Sequence, residues 1–366
     1  MRKAWFLVPI VAAALASRAA AVDVADGKLS VGGFGQWGYG RTAGENAYFV
    51  GNREGNYENA QFSLAVTAQP QDDVLVAGQV FLAPDGEVSL DWAFGEYRLH
   101  DLLRVRAGKV KNPFGIFMEV KDVGTLRPFF TLPHSIYGAG GFGAEAYLGA
   151  GITGEWLGRS GWGLTYDLFG GALAMPVFEP RQVLGGPAPY DFSTVTVEER
   201  EAKDVVGGRL VLATPLAGLS FRLSGFTGEI EEGVLTERLT VYGVSAEWAL
   251  DRFQLRGELF RATVGTEETN LAGYAEVAWN VLPKVQLALR YESLREEREG
   301  IPQQSSLLHH DEVAVGLSYW PSPNLAFKGS YHRADGNRFA IPALSAADGS
   351  IDGRTDLFVV GAQFAF

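Results

Sequence analysis

The last nine residues read Phe358-Val359-Val360-Gly361-Ala362-Gln363-Phe364-Ala365-Phe366. Phe358, Val360, Ala362, Phe364 and Phe366 share one parity. Successive side chains of a strand point to opposite faces, so this stretch predicts a strand with a continuous apolar face. The same period recurs upstream. Phe62, Leu64, Val66 and Ala68 alternate with Ser63, Ala65, Thr67 and Gln69, and Trp162, Leu164, Tyr166 and Leu168 with Gly163, Thr165, Asp167 and Phe169. Phe253, Leu255 and Leu259 alternate with Gln254, Arg256 and Glu258, and Val313, Val315, Leu317 and Tyr319 with Glu312, Ala314, Gly316 and Ser318. No helical period lasts a dozen residues.

One face of these strands is apolar and aromatic; the other mixes charge with Gly, Ser and Thr. A sandwich would bury the apolar face against a second sheet, whereas a membrane barrel turns it to lipid and keeps the polar face inside. Strand length favours the barrel, because about 10 tilted residues cross a bilayer and globular strands run nearer five or six. About 16 strands are expected, centred near residues 35, 64, 78, 93, 106, 150, 167, 208, 223, 244, 257, 275, 289, 316, 328 and 360. Short turns fall at Pro70–Asp72, His100–Leu102, Gly158–Gly161, Thr214–Gly218, Leu250–Asp251, Leu282–Lys284 and Pro321–Asn324. Longer, more polar connections are expected at 41–58, 112–144, 175–203, 228–236, 263–269, 295–310 and 334–353, with Ala83–Gly86 as a short exception. This layout predicts an all-β, transmembrane antiparallel barrel with its turns on the periplasmic side and an inward-folded third long loop.

The beginning of the chain supports export. Arg2 and Lys3 precede an apolar run from Ala4 to Leu15, and Ala19-Ala20-Ala21 offers small residues for cleavage after Ala21. Residues 1–21 are therefore expected to be a signal peptide and 22–366 an outer-membrane β-barrel domain in a Gram-negative cell. Losing Arg2, Lys3 and Arg18 takes the formal charge from −12 to about −15, a poor balance for binding nucleic acid. With no Cys there are neither disulfides nor thiolate metal sites. The final strand, with Phe358, Val360, Phe364 and the terminal Phe366, resembles the signal read by the barrel-assembly machinery. Lipid, lipopolysaccharide and that machinery are the expected partners.

The third long connection, Asn112 to Ala144, is too apolar to extend freely into water. It contains Pro113-Phe114-Gly115, Arg127-Pro128-Phe129-Phe130 and Pro133, and loops of such length are usually functional. It is expected to fold into the lumen with its aromatics on the inner wall. The segment Arg106-Ala107-Gly108-Lys109-Val110-Lys111-Asn112-Pro113-Phe114-Gly115 resembles the strand-to-loop region of the phosphate-selective porin O and P family. Gly257-Glu258 and the run from Gly273-Tyr274 through Leu282 to Arg290-Tyr291-Glu292 are similar to it too. The resemblance implies a 16-stranded barrel, usually a homotrimer, with an inward-folded third loop and basic residues lining the lumen.

By parity Arg209, Arg222, Arg256, Arg290 and Lys328 point inward. Arg104, Arg106, Lys109 and Lys111 lead into the loop that carries Arg127, and Glu258 and Glu292 share the inward faces. Together these are the expected pore-lining and constriction residues. Rings of Arg and Lys are how anion pores are built, but Asp91, Glu155, Asp167, Glu247, Glu276 and Glu312 lie on the same faces and can pair with them across strands.

Other motifs are set aside. Gly138-Ala139-Gly140-Gly141-Phe142-Gly143 fits G-x-G-x-x-G but lacks the strand and helix of a dinucleotide site, so no cofactor is expected. His309-His310-Asp311-Glu312 offers metal-type ligands, but neighbouring strand residues point to opposite faces, and no metal is expected. His100 and His134 lack a nearby catalytic constellation in sequence, so no enzyme is expected. The expected function is passive diffusion of small hydrophilic solutes or ions through a water-filled lumen. A phosphate- or anion-selective channel, and a non-conducting structural or adhesive surface barrel, are the alternatives.

Overall fold

The structure is a computed structural model that describes residues 22–24, 28–44, 46–48, 50–83, 86–138, 141–158, 160–182, 190–232, 235–266, 268–298, 308–336, 338–340 and 353–366. The expected signal peptide lies outside the described residues, as do parts of the loops at 295–310 and 334–353. A short strand β1 (Val22–Val24) pairs with the start of β2. The barrel runs through β2 (Leu29–Ala43), β3 (Asn56–Gln71), β4 (Val74–Leu82), β5 (Val88–His100) and β6 (Leu103–Lys111). After residues 112–145 come β7 (Ala146–Leu157), β8 (Gly163–Gln182), β9 (Tyr190–Ala213) and β10 (Leu219–Glu232). The circuit continues with β11 (Leu235–Ala249), β12 (Phe253–Val264), β13 (Glu268–Leu282), β14 (Val285–Arg298), β15 (His309–Ser322), β16 (Leu325–Asp335) and β17 (Arg354–Ala365).

Each strand from β2 to β17 pairs antiparallel with the next, and β17 pairs with β2 to close a 16-stranded barrel. The last residue completes that seam. Phe366 N–H donates to the Gly33 carbonyl (2.9 Å), Gly33 N–H donates back (2.8 Å), and the Phe366 ring stacks on Phe62. Closure leaves no long row of unpaired strand groups. Every strand centre expected from periodicity falls inside one of these 16 strands.

The period-two apolar face is the outer one. Leu259 is 53% exposed while its neighbour Phe260 is 0% exposed. Leu287, Leu289, Val313, Val315, Leu317, Phe327, Phe358 and Phe364 face outward in the same way, as do Trp37, Trp156 and Trp279. Among the described residues no helix is long and apolar enough to cross a membrane; the strands carry the apolar surface instead.

Two expected loops are strand over their described residues. The segments at 175–203 and 228–236 are polar and acidic, yet β8 and β9 pair from Gly163↔Ala213 out to Gln182↔Tyr190, and β10 pairs with β11 as far as Glu232↔Leu235. The apolar belt needs only about 10 residues of each strand, so the remainder of these hairpins has no lipid-facing requirement. Polarity there reports surroundings and not backbone conformation.

Candidate functional site

The enclosed face of the barrel carries a ladder of ion pairs set by strand register. Glu247↔Arg256 and Arg256↔Glu276 are directly opposite across β11, β12 and β13, as are Glu276↔Arg290 and Asp167↔Arg209 elsewhere. Directly opposed residues share a face, so alternating sign from strand to strand places each cation between carboxylates. Arg256 Nε lies 2.8 Å from Glu247 Oε1, and its Nη1 3.2 Å from Glu276 Oε1. Arg222 reaches the other Glu247 oxygen at 3.0 Å. Arg290, with its side chain 1% exposed, sits 3.2 Å from Glu292 and 3.4 Å from Glu312. Arg209 pairs with Asp167 at 2.9 Å and with Glu119 of the long connection. Arg106 Nε pairs with Glu96 at 2.6 Å.

Residues 112–138 and 141–145 pack along this same face. Their backbone forms two short 3-10 turns (Met118–Val120 and Gly124–Leu126) and one helical turn, α1 (His134–Tyr137). Lys328 Nζ donates to the carbonyls of Gly124 (2.6 Å), Arg127 (2.5 Å) and Phe129 (3.3 Å). Ser318 donates to the Pro128 carbonyl, and Arg290 to Thr131. Glu258 accepts the Ile116 N–H at 2.9 Å, the Tyr137 hydroxyl at 2.5 Å and the Ser245 hydroxyl at 2.6 Å. Burial and the adjacent Glu258 carboxylate hold the Tyr137 phenol well above its usual range, so it remains a donor. Glu292 accepts the Ser135 N–H at 2.7 Å.

The aromatics of the segment lie against wall side chains. Phe114 packs on Phe260 (ring centroids 4.4 Å apart) and Phe117 on Tyr274 (6.2 Å). The Arg256 guanidinium stands 5.0 Å from the Phe117 ring centre and that of Arg290 stands 4.7 Å from Phe129, distances at which a cation is drawn to an aromatic face. Gly38 and Gly361 are opposite one another on β2 and β17. A Cβ on either would come within 2.5 Å of the Phe130 ring, so the two glycines form the flat seat on which Phe130 lies. Sequence reasoning missed that seat, because a facing pair of glycines is visible only once the barrel is closed.

Near the outer end of β6, Lys111 pairs with Asp122 and with Glu145 (2.8 Å), and Lys121 pairs with Glu145 (2.6 Å). Burial alone would raise the Asp122 carboxyl, but the charges of Lys111 and Lys121 outweigh it and hold the group well below the usual carboxylate range. Gln79 donates to both Asp91 (2.6 Å) and Asp122 (3.1 Å).

Of the twelve residues expected to line the interior, Arg106, Arg209, Arg222, Arg256, Glu258, Arg290, Glu292 and Lys328 are buried on the enclosed face. Arg127 is buried in the loop segment, with Nη2 3.5 Å from Gln36 Oε1. Arg104 is half-buried opposite the buried Thr153, and Lys111 turns into the loop as described. Lys109 is a correction. It lies opposite Leu148, which is 63% exposed, and its Nζ donates to the Leu90 carbonyl. The step from Arg106 to Lys109 is an odd number of residues, and alternation sends it to the outer face. Trp92 on β5 lies opposite the buried Gln79.

Residues 226–366 match the family model described as phosphate-selective porin O and P, in agreement with the motif resemblance noted in the sequence. No curated protein matches the chain. Among solved structures, the barrel is similar to an anion-selective porin from Comamonas acidovorans, with a TM-score of 0.59 and 12% identity, over 92% of this chain and 99% of that one. It is similar to the outer-membrane protein OmpT of Vibrio cholerae, with a TM-score of 0.58 and 12% identity, over 94% of this chain and 100% of that one. The outer-membrane channel DcaP of Acinetobacter baumannii gives a TM-score of 0.58 at 9% identity, over 93% and 99% of the two chains. The fold is that of the outer-membrane porins.

Proposed function

We infer that this chain, a porin-fold barrel whose residues 226–366 match the phosphate-selective porin O and P family, is an outer-membrane channel for passive diffusion of small hydrophilic solutes. One observation carries the reading: the closed sheet is apolar outside and ion-paired inside. In lipid a sheet must close on itself to satisfy its backbone, and a polar interior is what a water-filled conduit requires. Residues 112–145 narrow the conduit. Arg104, Arg106, Lys111, Arg127, Arg209, Arg222, Arg256, Glu258, Arg290, Glu292 and Lys328 line it or anchor the narrowing segment. Wall charge biases which ions pass, and here carboxylates stand beside nearly every inward cation.

The second reading is a channel selective for phosphate or another small anion. It is favoured by the family match and by inward cations on β6, β9, β10, β12, β14 and β16. The barrel works as a homotrimer in the outer membrane of a Gram-negative cell, as the trimer form of a structurally similar OmpT suggests. Residues 1–21 direct export, Phe358, Val360, Phe364 and Phe366 present the assembly signal, and the exposed outer face meets lipid and lipopolysaccharide. The deciding experiment records the refolded protein in a planar bilayer under a salt gradient. Discrete conductance steps support a channel, and their reversal potential, with or without block by added phosphate, separates the two readings. A folded barrel with no conductance refutes both.

A further inference from the structure

One cluster of side chains at the Arg290 end of the ion-pair ladder holds two histidines that the ladder does not use. His134 of α1, Glu292 of β14, and His310 and Glu312 of β15 each bring one ligand-type atom into a group whose members all lie within 4.8 Å of one another. The His310 side chain is 0% exposed, yet neither of its ring nitrogens has a hydrogen-bond partner. His134 Nδ1 is buried and unpartnered as well. Glu292 Oε1 makes no hydrogen bond, although Arg290 Nη2 stands 3.2 Å away. A buried polar atom left without a hydrogen bond is destabilising, and such a concentration at one point calls for an occupant.

The spacing says what kind. His134 Nδ1 and His310 Nε2 both stand 3.7 Å from the same atom, Glu312 Oε2. That is too long for a hydrogen bond. It is close to the roughly 3.4 Å that separates neighbouring ligands around a tetrahedral ion with bonds of about 2.0–2.1 Å. The other carboxylate oxygens are already engaged. Glu312 Oε1 is 2.7 Å from His332 Nδ1, whose Nε2 is in turn 2.8 Å from Ser330 Oγ. Glu292 Oε2 accepts the Ser135 N–H. Metal ligands are held by outer partners of this sort. The buried Phe339 ring closes one side, 4.9 Å from His310 and 6.3 Å from His134 between centroids.

We propose that His134, Glu292, His310 and Glu312 bind a divalent transition-metal ion of the Zn2+ class, clamping the long connection to β14 and β15. Two imidazoles with two carboxylates suit such an ion, whereas Ca2+ and Mg2+ take oxygen ligands. The two carboxylates share a single arginine, Arg290, so the cluster can accept further positive charge. In sequence, strands β7 to β13 separate His134 from Glu292, and the β14–β15 connection separates Glu292 from His310. His310 and Glu312 are two residues apart on one strand and therefore share a face, which the adjacency of His309 and His310 hides. The proposal holds whether or not the barrel conducts.

The test uses the untagged full-length chain, refolded, stripped with chelator and titrated with Co2+ and then Zn2+. One equivalent per chain is expected, with the intense visible absorption of tetrahedral cobalt. His134→Ala and His310→Ala should each weaken binding roughly 100-fold or more, at or beyond the upper end seen when only an outer-shell partner is lost, and His309→Ala should leave it unchanged. Absence of stoichiometric binding by a correctly folded wild-type barrel overturns the proposal, as does binding that survives both histidine substitutions. Should either variant misfold, hydrogen exchange on the wild type decides: Zn2+ must slow amides 134–137, and unchanged rates refute the clamp.

Discussion

Replacing Glu258 by Ala isolates what holds the start of the long connection to the wall. The carboxylate accepts from Ile116 N–H, Tyr137 Oη and Ser245 Oγ, and Ile116 N–H retains only the Tyr137 oxygen, 2.8 Å away, once it is gone. Two of the three bonds lost join loop to barrel. A hydrogen bond to a charged acceptor contributes about 1.5–3 kcal/mol. Since the two are not additive, a loss near 3 kcal/mol in loop docking is expected. At 1.4 kcal/mol per tenfold, the opened population of the segment rises on the order of 100-fold. Hydrogen exchange of peptides covering residues 114–120 reads that population directly. Amides 116 and 117 should exchange about two orders of magnitude faster, with the strand amides of β12 and β13 unchanged. Glu258→Gln, which keeps an acceptor but loses the charge, should fall between. Rates within about threefold of wild type in Glu258→Ala would refute the reasoning and leave the attachment to the Phe114 and Phe117 contacts, the Gly115 N–H donated to Ser224 and the Arg209–Glu119 pair.

Three further outcomes are expected. Arg209→Met leaves Glu119 and Asp167 buried without their cation, with Arg106 3.9 Å from Asp167 and already committed to Glu96; a loss of about 3–5 kcal/mol should lower the denaturant midpoint in micelles. Deleting 116–140 should raise single-channel conductance, and an unchanged step would place that segment outside the conduction path. Asp122, held below the usual carboxylate range by Lys111 and Lys121 with Asp91, Glu145 and Gln79 around it, contributes stability that is present above pH ~4. That contribution is lost as pH falls through its folded value. Protease protection of residues 118–126 should weaken only under acid, and Asp122→Asn should remove that dependence.

The fold was legible because its signal is local. A lipid-facing strand must place apolar groups at every second position, and Val313, Val315, Leu317 and Tyr319 do so irrespective of distant partners. The loop's attachment was half legible. Phe114, Phe129 and Phe130 in a loop already imply burial, but Glu258 and Ile116 are 142 residues apart, and no local pattern links them. Lys109 illustrates the complementary failure: charge alone suggested a lumen position, and an odd step along β6 sends the side chain outward. At β8 and β9, polar composition looked like loop because lipid contact, which had made strands recognisable elsewhere, ends before the strands do.

The interior charges act first as fasteners. Arg290, Arg256 and Arg209 each lie between carboxylates, and Lys328 is spent on three loop carbonyls. A passing ion meets a paired cation as a dipole, whose field falls faster with distance than that of a lone charge. Selectivity must then come from donors left over. Arg222 holds such donors in reserve: one nitrogen pairs with Glu247, while Nε and Nη1 are buried without a hydrogen-bond partner and must turn toward the lumen to meet an ion. If the pore prefers anions, Arg222→Gln should shift the reversal potential toward cations and weaken any block by phosphate, whereas Arg256→Gln should chiefly lower stability. A strong anion preference that survives Arg222→Gln would mean that one of the buried pairs opens during conduction.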